Sequence, residues 1–385
     1  MPKLPVLCQI LPALETGGVE RGTVDMAVAA AEAGFHSIVI SSGGPMVREL
    51  ARGGAAHIQL PVNTKNPLAM RRNVERIAAA LREHQVDIVH ARSRAPAWSA
   101  RAAARLTGSH FMTTFHGTYN LDFPGKKTYN AIMTKGERVI AISNFIRDHI
   151  LATYRVDPSV IRVIHRGVDL DIFAPDAVSQ ERVIMLAQRW RLPEDRPIIT
   201  LPARLTRWKG QLLLLRALKI LGRTDFRVLL VGDAQGRASY VEEIERTAAR
   251  IGLDGVVQVT GPAPDMAATY MLSDVVVSAS TDPEAFGRVV AEAQAMGRPV
   301  IAPAHGAAPE QITEDNTGWL FQPDDAESLA RALGQALSMS REQRAAYAER
   351  AMMNARTRFS KTVMCTRTLD VYRELLEAGP PARIP

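Results

Sequence analysis

Asp282-Pro-Glu284-Ala-Phe-Gly287-Arg-Val-Val-Ala-Glu292-Ala-Gln-Ala-Met-Gly297-Arg-Pro299 is the stretch from which the organisation of this chain can be read. It follows the apolar run Asp274–Ser280, which has the character of a buried strand. After Gly287 comes a run of good helix formers, closed by Gly297 and Pro299. A strand, a carboxylate-bearing loop and a helix, in that order, describe part of a parallel β-α-β sheet. Ligands of such sheets sit outside the carboxyl ends of the strands, where this loop lies. Unpaired amides at the helix amino end can hold a diphosphate. Glu284 can accept hydrogen bonds from hydroxyls, and Glu292, a little over one turn into the helix, can accept from a diol. Read alone, the same residues are equally a helix cap (Glu284) and a surface charge (Glu292).

The same cadence extends in both directions. Towards the amino end, Val6–Ile10, Ser37–Ser41, Asp87–His90, Phe111–Phe115 and Arg138–Ile142 read as buried strands, with helical periodicity between them at Glu20–Ala33 and Pro67–Glu83. The pattern restarts with Ile198–Leu201, Arg227–Val231, Val256–Thr260, Val275–Ser278 and Val300–Ala302. Between the two sets lies Asp169–Arg196, with Pro175 and Pro193 and little strand character. The expectation is therefore α/β: two doubly wound Rossmann-like domains, residues 1–170 and 171–357. A last helical stretch, Lys361–Leu376, comes after the second strand set is complete.

The chain has 385 residues, with 46% hydrophobic and 23% charged residues, which suits two globular domains rather than a disordered chain. No apolar run reaches the roughly 18 to 20 residues of a membrane span, and the amino end has no signal-peptide pattern. Cys8 and Cys365 read as buried free thiols. The net charge of +7 is one-sided: residues 1–169 carry 21 Lys and Arg against 13 Asp and Glu, the remainder 26 against 27. Such asymmetry points the first half at something anionic, or marks a solvated basic surface.

Three more segments carry candidate chemistry. Arg204-Leu-Thr-Arg-Trp-Lys209-Gly follows a strand; a guanidinium and an ammonium there suit the charge of a departing diphosphate, or form a solvated basic loop. Gly17-Gly18-Val-Glu-Arg lies between the first strand and the first helix, where glycines let backbone approach a ligand or simply make a turn. Thr113-Thr-Phe-His116-Gly ends a strand on a histidine, which alone is as readily structural as functional. His84 and His90, six apart across a helix-to-strand change, suit no metal surface. Arg204, Lys209 and backbone amides are then expected to meet the diphosphate charge with no metal and no cofactor.

With these residues assembled, the chain resembles the family 4 retaining glycosyltransferases of the GT-B fold, over essentially its whole length. The resemblance is carried by Glu284-x7-Glu292, supported by the Arg204–Lys209 and Gly17–Arg21 segments, His116-Gly, Gly167-Val-Asp169, Val231-Gly-Asp233 and His305-Gly-Ala-Ala-Pro-Glu310. It implies two domains facing across a cleft, with the terminal helix (residues 358–385) crossing back to the first. It implies that Gly17 and Gly18 contact donor phosphates, that Arg204 and Lys209 stabilise the leaving diphosphate, and that Glu284 positions the donor sugar. Phe286, Gly287 and Arg288 would offer backbone contacts, Glu292 would bind the ribose, and His116 would lie beside the sugar hydroxyls. The sequence departs from the family at Arg166, where asparagine is common, and at Ala307, where a second glycine is common.

The reading is thus a hexosyltransferase using a UDP- or GDP-linked sugar and a glycan or lipid-linked acceptor, in cell-surface polysaccharide or lipopolysaccharide synthesis. The alternatives are a nucleotide-sugar epimerase or small-acceptor transferase on the same fold, and a non-catalytic binder of nucleotide-sugar. No nucleic-acid motif is present. Arg92, Arg94, Arg101 and Arg105 around Trp98, with Lys126, Lys127, Lys135 and the segment Tyr119–Phe123, are read as a basic, partly apolar face for anionic membrane, or as an ordinary charged face. The expected location is the cytoplasm, with peripheral contact at the inner face of the plasma membrane.

Overall fold

The structure is a computed structural model that describes Leu4–Gly379. Two compact units emerge: residues up to Gly167 together with those from Lys361 onward, and Val168–Ser360.

The first unit alternates strands and helices: β1 (Val6–Ile10), α1 (Gly18–Glu32), β2 (His36–Ser41), α2 (Val47–Arg52), β3 (Ala56–Gln59), α3 (Pro67–Glu83), β4 (Ile88–Ala91), α4 (Arg94–Thr107), β5 (His110–Phe115), α5 (Lys126–Asn130), β6 (Arg138–Ala141), α6 (Asn144–Thr153) and β7 (Ile161–Val163). All strand pairs are parallel, in the order β3-β2-β1-β4-β5-β6-β7. The strand order reverses beside β1, which pairs with β2 on one side and β4 on the other.

In the second unit, α7 (Gln180–Arg189), β8 (Ile198–Pro202), α8 (Gln211–Leu221), β9 (Arg227–Val231), α9 (Ala238–Arg250), β10 (Val257–Gly261), α10 (Met266–Leu272), β11 (Val275–Val277), α11 (Arg288–Ala295), β12 (Val300–Pro303), α12 (Ala308–Gln311), β13 (Trp319–Phe321), α13 (Ala326–Leu337) and α14 (Arg341–Arg358) build a parallel sheet in the order β10-β9-β8-β11-β12-β13. Alternate residues of one strand enter two separate cores. Ile199 and Leu201, Val228 and Leu230, Val275 and Val277 belong to one; Ile198, Leu229, Val231 and Val276 belong to the other. A sheet covered on both faces needs unbroken apolar strands, and this is why those runs were visible in the sequence.

The chain then returns to the first unit as α15 (Lys361–Glu377). Its apolar face packs with Leu7, Met26, Phe35 and Ile88. Polar contacts fix the seat: Tyr372 Oη lies 2.8 Å from His90 Nδ1, and Glu374 takes hydrogen bonds from Arg138 and Arg162. Those two guanidinium groups hold the Glu374 carboxyl below its ordinary range. Cys8 and Cys365 are both free and buried.

Three strands and one helix depart from the sequence reading. β3, β7 and β13 are sheet edges of three or four residues. β3 carries His57 and Gln59 and is only partly buried, so it lacks the apolar run of a central strand. Helix α7 lies in the segment read as a break; it is capped by Ser179, whose Oγ accepts from Arg182 N, and buries Leu186. Its prolines, Pro175 and Pro193, lie on either side of the helix rather than in it, where proline is tolerated.

Candidate active site

In the second unit the candidate residues gather where β8, β9, β11 and β12 end. The loop after β8 is held by close backbone packing. A Cβ on Gly232 would stand 2.0 Å from Ala203 O, and one on Gly210 would stand 1.8 Å from Ala279 O. Only glycine permits both approaches. Leu205 N donates to Asp233 O, and Thr281 N donates to Trp208 O at 2.8 Å, tying the loop to the segments after β9 and β11.

This packing brings Lys209 to Glu284. Lys209 Nζ is 2.7 Å from Glu284 Oε1, with both side chains largely buried at 13% and 23% exposure. Ser280 Oγ donates to the same oxygen at 2.5 Å, while the ammonium also lies 4.2 Å from the Trp208 ring centre. The Glu284 backbone is clamped from the loop after β12. Ala307 N donates to Glu284 O at 3.0 Å, and a Cβ on Gly306 would meet Glu284 N and O within 2.7 Å. His305 Nε2 donates to Ser280 O at 2.9 Å. Glu284 Oε2 has no hydrogen-bond partner among the described residues and lies 3.8 Å from where a Cβ on Gly287 would stand, which leaves one acceptor of a fixed carboxylate available beside the start of α11. Glu284 is not the helix cap; Gly287 takes that position, in the left-handed region at φ 76°.

Arg204 belongs to the same loop, exposed, with no side-chain partner among the described residues. Arg207, by contrast, is paired to Glu243. Helix α11 begins at Arg288 directly after Gly287, so its unpaired amides lie beside Glu284. Phe286 is buried, its carbonyl accepting from Gln311 Nε2 and its ring 6.0 Å from that of Phe359. Glu292 is no surface charge. It is 8% exposed, and Tyr270 Oη donates to its Oε2 at 2.8 Å. Burial pushes the Glu292 carboxyl up, against the pull of Arg288 and the Tyr270 hydroxyl.

Gly17, Gly18 and His116 lie in the first unit. Gly17 precedes α1 in extended conformation and Gly18 is its first residue. The Glu20 carboxylate folds back so close to Gly17 that a Cβ there would lie 2.3 Å from it. Gly18 and Gly22, one helical turn apart, form a seat for Arg166: a Cβ on either would meet its guanidinium at 3.1–3.2 Å. Arg166 NH1 is 3.3 Å from His116 Nδ1. Since arginine only donates, His116 Nδ1 accepts and its proton is on Nε2. Burial first, then Arg166 and Arg92, hold His116 well below the ordinary histidine range, so its ring is neutral at pH 7.

The contacts that orient the candidate residues were only partly legible. Ser280, His305 and Tyr270 hold Glu284 or Glu292; Ser280 lies four residues before Glu284 and His305 opens a segment of the resemblance, while Tyr270 carried no local signal. Asp169-Leu170-Asp171 has an Asp-x-Asp spacing and serves a turn, Asp171 N donating to Asp169 Oδ1 at 3.1 Å. Among the described residues no three His, Cys, Asp or Glu side chains cluster for a metal. The basic face needs one correction. Arg92 is 5% exposed and points into the fold, not outward. Arg94 is tied to Asn130 and lies 4.1 Å from the Tyr119 ring centre. Trp98, Leu121 and Phe123 are exposed, as are Lys127 and Lys135. Among the described residues no helix is long and apolar enough to cross a membrane.

Two family models match, one for Glycosyltransferase Family 4 over residues 16–172 and one for glycosyl transferases group 1 over residues 185–353. A glycosyltransferase structure from Rickettsia africae is 39% identical, with 97% of this chain and 99% of that one covered and a TM-score of 0.90. A D-inositol 3-phosphate glycosyltransferase of Corynebacterium kroppenstedtii is 30% identical over 66% of this chain, which spans 56% of that relative's length. The Anabaena protein HepE, in complex with UDP and glucose, shares the fold at 21% identity with a TM-score of 0.80, over 96% of this chain and all of that one.

Proposed function

The chain belongs to the family 4 glycosyltransferases, and from that membership we propose retaining transfer of a hexose-type sugar from a UDP- or GDP-linked donor to a glycan or lipid-linked acceptor, with no catalytic metal. The observation that carries this reading is the fixed Lys209–Glu284 pair, with Arg204 unpaired in the same loop and the amino end of α11 beside it. Glu284 takes hydrogen bonds from the donor-sugar hydroxyls on its open oxygen. Lys209, Arg204 and the α11 amides meet the charge that grows on the diphosphate as the bond from C1 to its oxygen breaks. The acceptor oxygen bonds to C1 on the face the diphosphate leaves, and the acceptor proton passes to a departing phosphate oxygen. Charge stabilisation of this kind is effective because the groups are held before the reaction begins.

Glu292, oriented by Tyr270, binds the ribose, and Phe286, Gly287 and Arg288 contribute backbone contacts. In the first unit, Gly17 and Gly18 are assigned to donor phosphates and His116 to sugar hydroxyls. The neutral, Nε2-protonated ring of His116 supports a hydrogen-bonding role rather than an ionic one. A lipid-linked acceptor in surface-polysaccharide or lipopolysaccharide synthesis agrees with exposed Leu121 and Phe123 near Lys127, a combination that suits an anionic bilayer surface.

Calorimetric titration with UDP, GDP and ADP and their sugars tests the donor assignment. One nucleotide is expected to dominate, EDTA to leave both binding and turnover unchanged, and Arg204→Ala to weaken binding by about tenfold or more. Turnover abolished by chelation, or full affinity in Arg204→Ala, refutes the metal-free electrostatic reading. Equal flotation with anionic and neutral liposomes refutes the membrane contact.

A further inference from the structure

Arg92 follows β4 and is anchored by its backbone, Arg92 N donating to Ile10 O at 2.9 Å. Its side chain runs into the first unit, 5% exposed, and among the described residues its guanidinium makes no hydrogen bond or ion pair. Asp25 is felt electrostatically without forming a pair with it. A buried cation with no partner is strongly unfavourable, so this one calls for an anion that the chain itself does not supply.

The surroundings define what that anion is. Arg92 lines a cavity of about 20 Å³ together with Gly22, Thr114, His116 and Arg166 and an otherwise mainly apolar wall. His116 Nε2, which carries the ring proton, is also buried without a partner. Thr114 Oγ1 is engaged by His90 Nε2 at 2.7 Å, and Thr368 Oγ1 donates to Met364 O. The unpartnered polar atoms of the lining are thus the Arg92 guanidinium and the His116 N–H, both donors, with the positive charge of Arg166 beside them. The cavity's narrow inner end, with room for one to two waters, fits the two oxygens of a carboxylate carried on a larger group outside it.

We propose that Arg92, Arg166 and His116 form a receptor for the carboxylate of a sugar acid, so that one substrate of the transfer is a uronate or related acidic sugar. This rests on the transferase reading and narrows its substrate class, the His116 N–H meeting the carboxylate in place of a sugar hydroxyl. The carboxylate belongs either to the donor sugar or to the residue at the acceptor end, and the two sources are separable.

The test uses the full chain in calorimetry. One arm compares UDP- and GDP-linked hexoses with their hexuronate counterparts. The other, with the preferred nucleotide diphosphate bound, compares a methyl hexoside with the methyl hexuronoside. The acid is expected to bind about tenfold tighter than the neutral sugar in one arm, from charge-assisted hydrogen bonds. Arg92→Met is expected to reduce that ratio to about one, and Arg92→Lys to restore part of it. Without ligand, Arg92→Met should melt at a higher temperature than the wild type, because an unpaired buried charge is gone. Nucleotide binding with no preference for the acid in either arm, or a preference that survives Arg92→Met, overturns this proposal and leaves the transferase reading standing. Absence of all nucleotide binding overturns both.

Discussion

Gly210 offers a direct test of how the candidate active site is built, because it touches no proposed substrate. It sits at φ 73° at the start of α8, while Gly222 sits at φ 67° at the end of the same helix. Alanine at either position incurs the left-handed backbone penalty of about 1 kcal/mol. The surroundings then separate the two. A Cβ on Gly222 finds only Ile220 O at 3.9 Å, whereas one on Gly210 finds Ala279 O at 1.8 Å and its carbon at 2.7 Å. Ordinary carbon–oxygen contact is about 3.3 Å, so the loop must retreat by about 1.5 Å. Such overpacking adds about 2 kcal/mol. Gly210→Ala is therefore expected to lose about 3 kcal/mol in urea unfolding and Gly222→Ala about 1. The same retreat carries Lys209 off Glu284, and displacement of a positioned group by an ångström lowers kcat/KM by about a hundredfold. Initial-rate measurements on both variants complete the comparison. Losses within about 0.5 kcal/mol of one another, or an undiminished rate in Gly210→Ala, refute the claim that backbone contact at Ala279 sets the Lys209–Glu284 geometry.

Two further outcomes follow from buried titrating groups. Tyr270→Phe removes the hydroxyl on Glu292 Oε2, which should cost about 1–3 kcal/mol and move the Glu292 carboxyl further up; nucleotide affinity, followed by calorimetry against pH, should then fall away at a higher pH than in the wild type, and an unchanged profile rejects the role given to Tyr270. His90 is held well below its ordinary range by burial and by Arg92, so its neutral form contributes stability that is present above the unfolded pKa of about 6.5 and lost as pH falls towards the folded value. Protonation of the unfolded histidine limits the loss at pH 5.5 to about 1.4 kcal/mol; urea unfolding at pH 7.5 and 5.5 measures it, and a His90 ring seen by NMR to titrate near 6.5 contradicts it.

The legible part of the candidate active site was the part encoded locally. Glu284 and Glu292 are eight residues apart on one loop-to-helix transition, so their spacing alone placed them at a helix amino end. The charge on Arg204 and Lys209 was visible, but their fates differ: Lys209 pairs with a residue 75 positions away, while Arg204 stays unpaired. Glu292 and a surface carboxylate look identical in sequence. Only Tyr270, 22 residues earlier and on another helix, distinguishes them. Arg92 shows the same limit in reverse, since an arginine before an alanine-rich helix reads as surface until the fold encloses it.

The sequence by itself determined that there are two parallel sheets, because strands buried on both faces must be apolar throughout and such runs are visible one residue at a time. It also determined which loops carry carboxylate, cation and glycine. The tertiary structure alone decided which of these groups meet, which charge is left unpaired, and that the short edge strands and α7 exist at all. Those outcomes depend on contacts between distant segments, and their energies are properties of neighbours in space rather than of any local pattern.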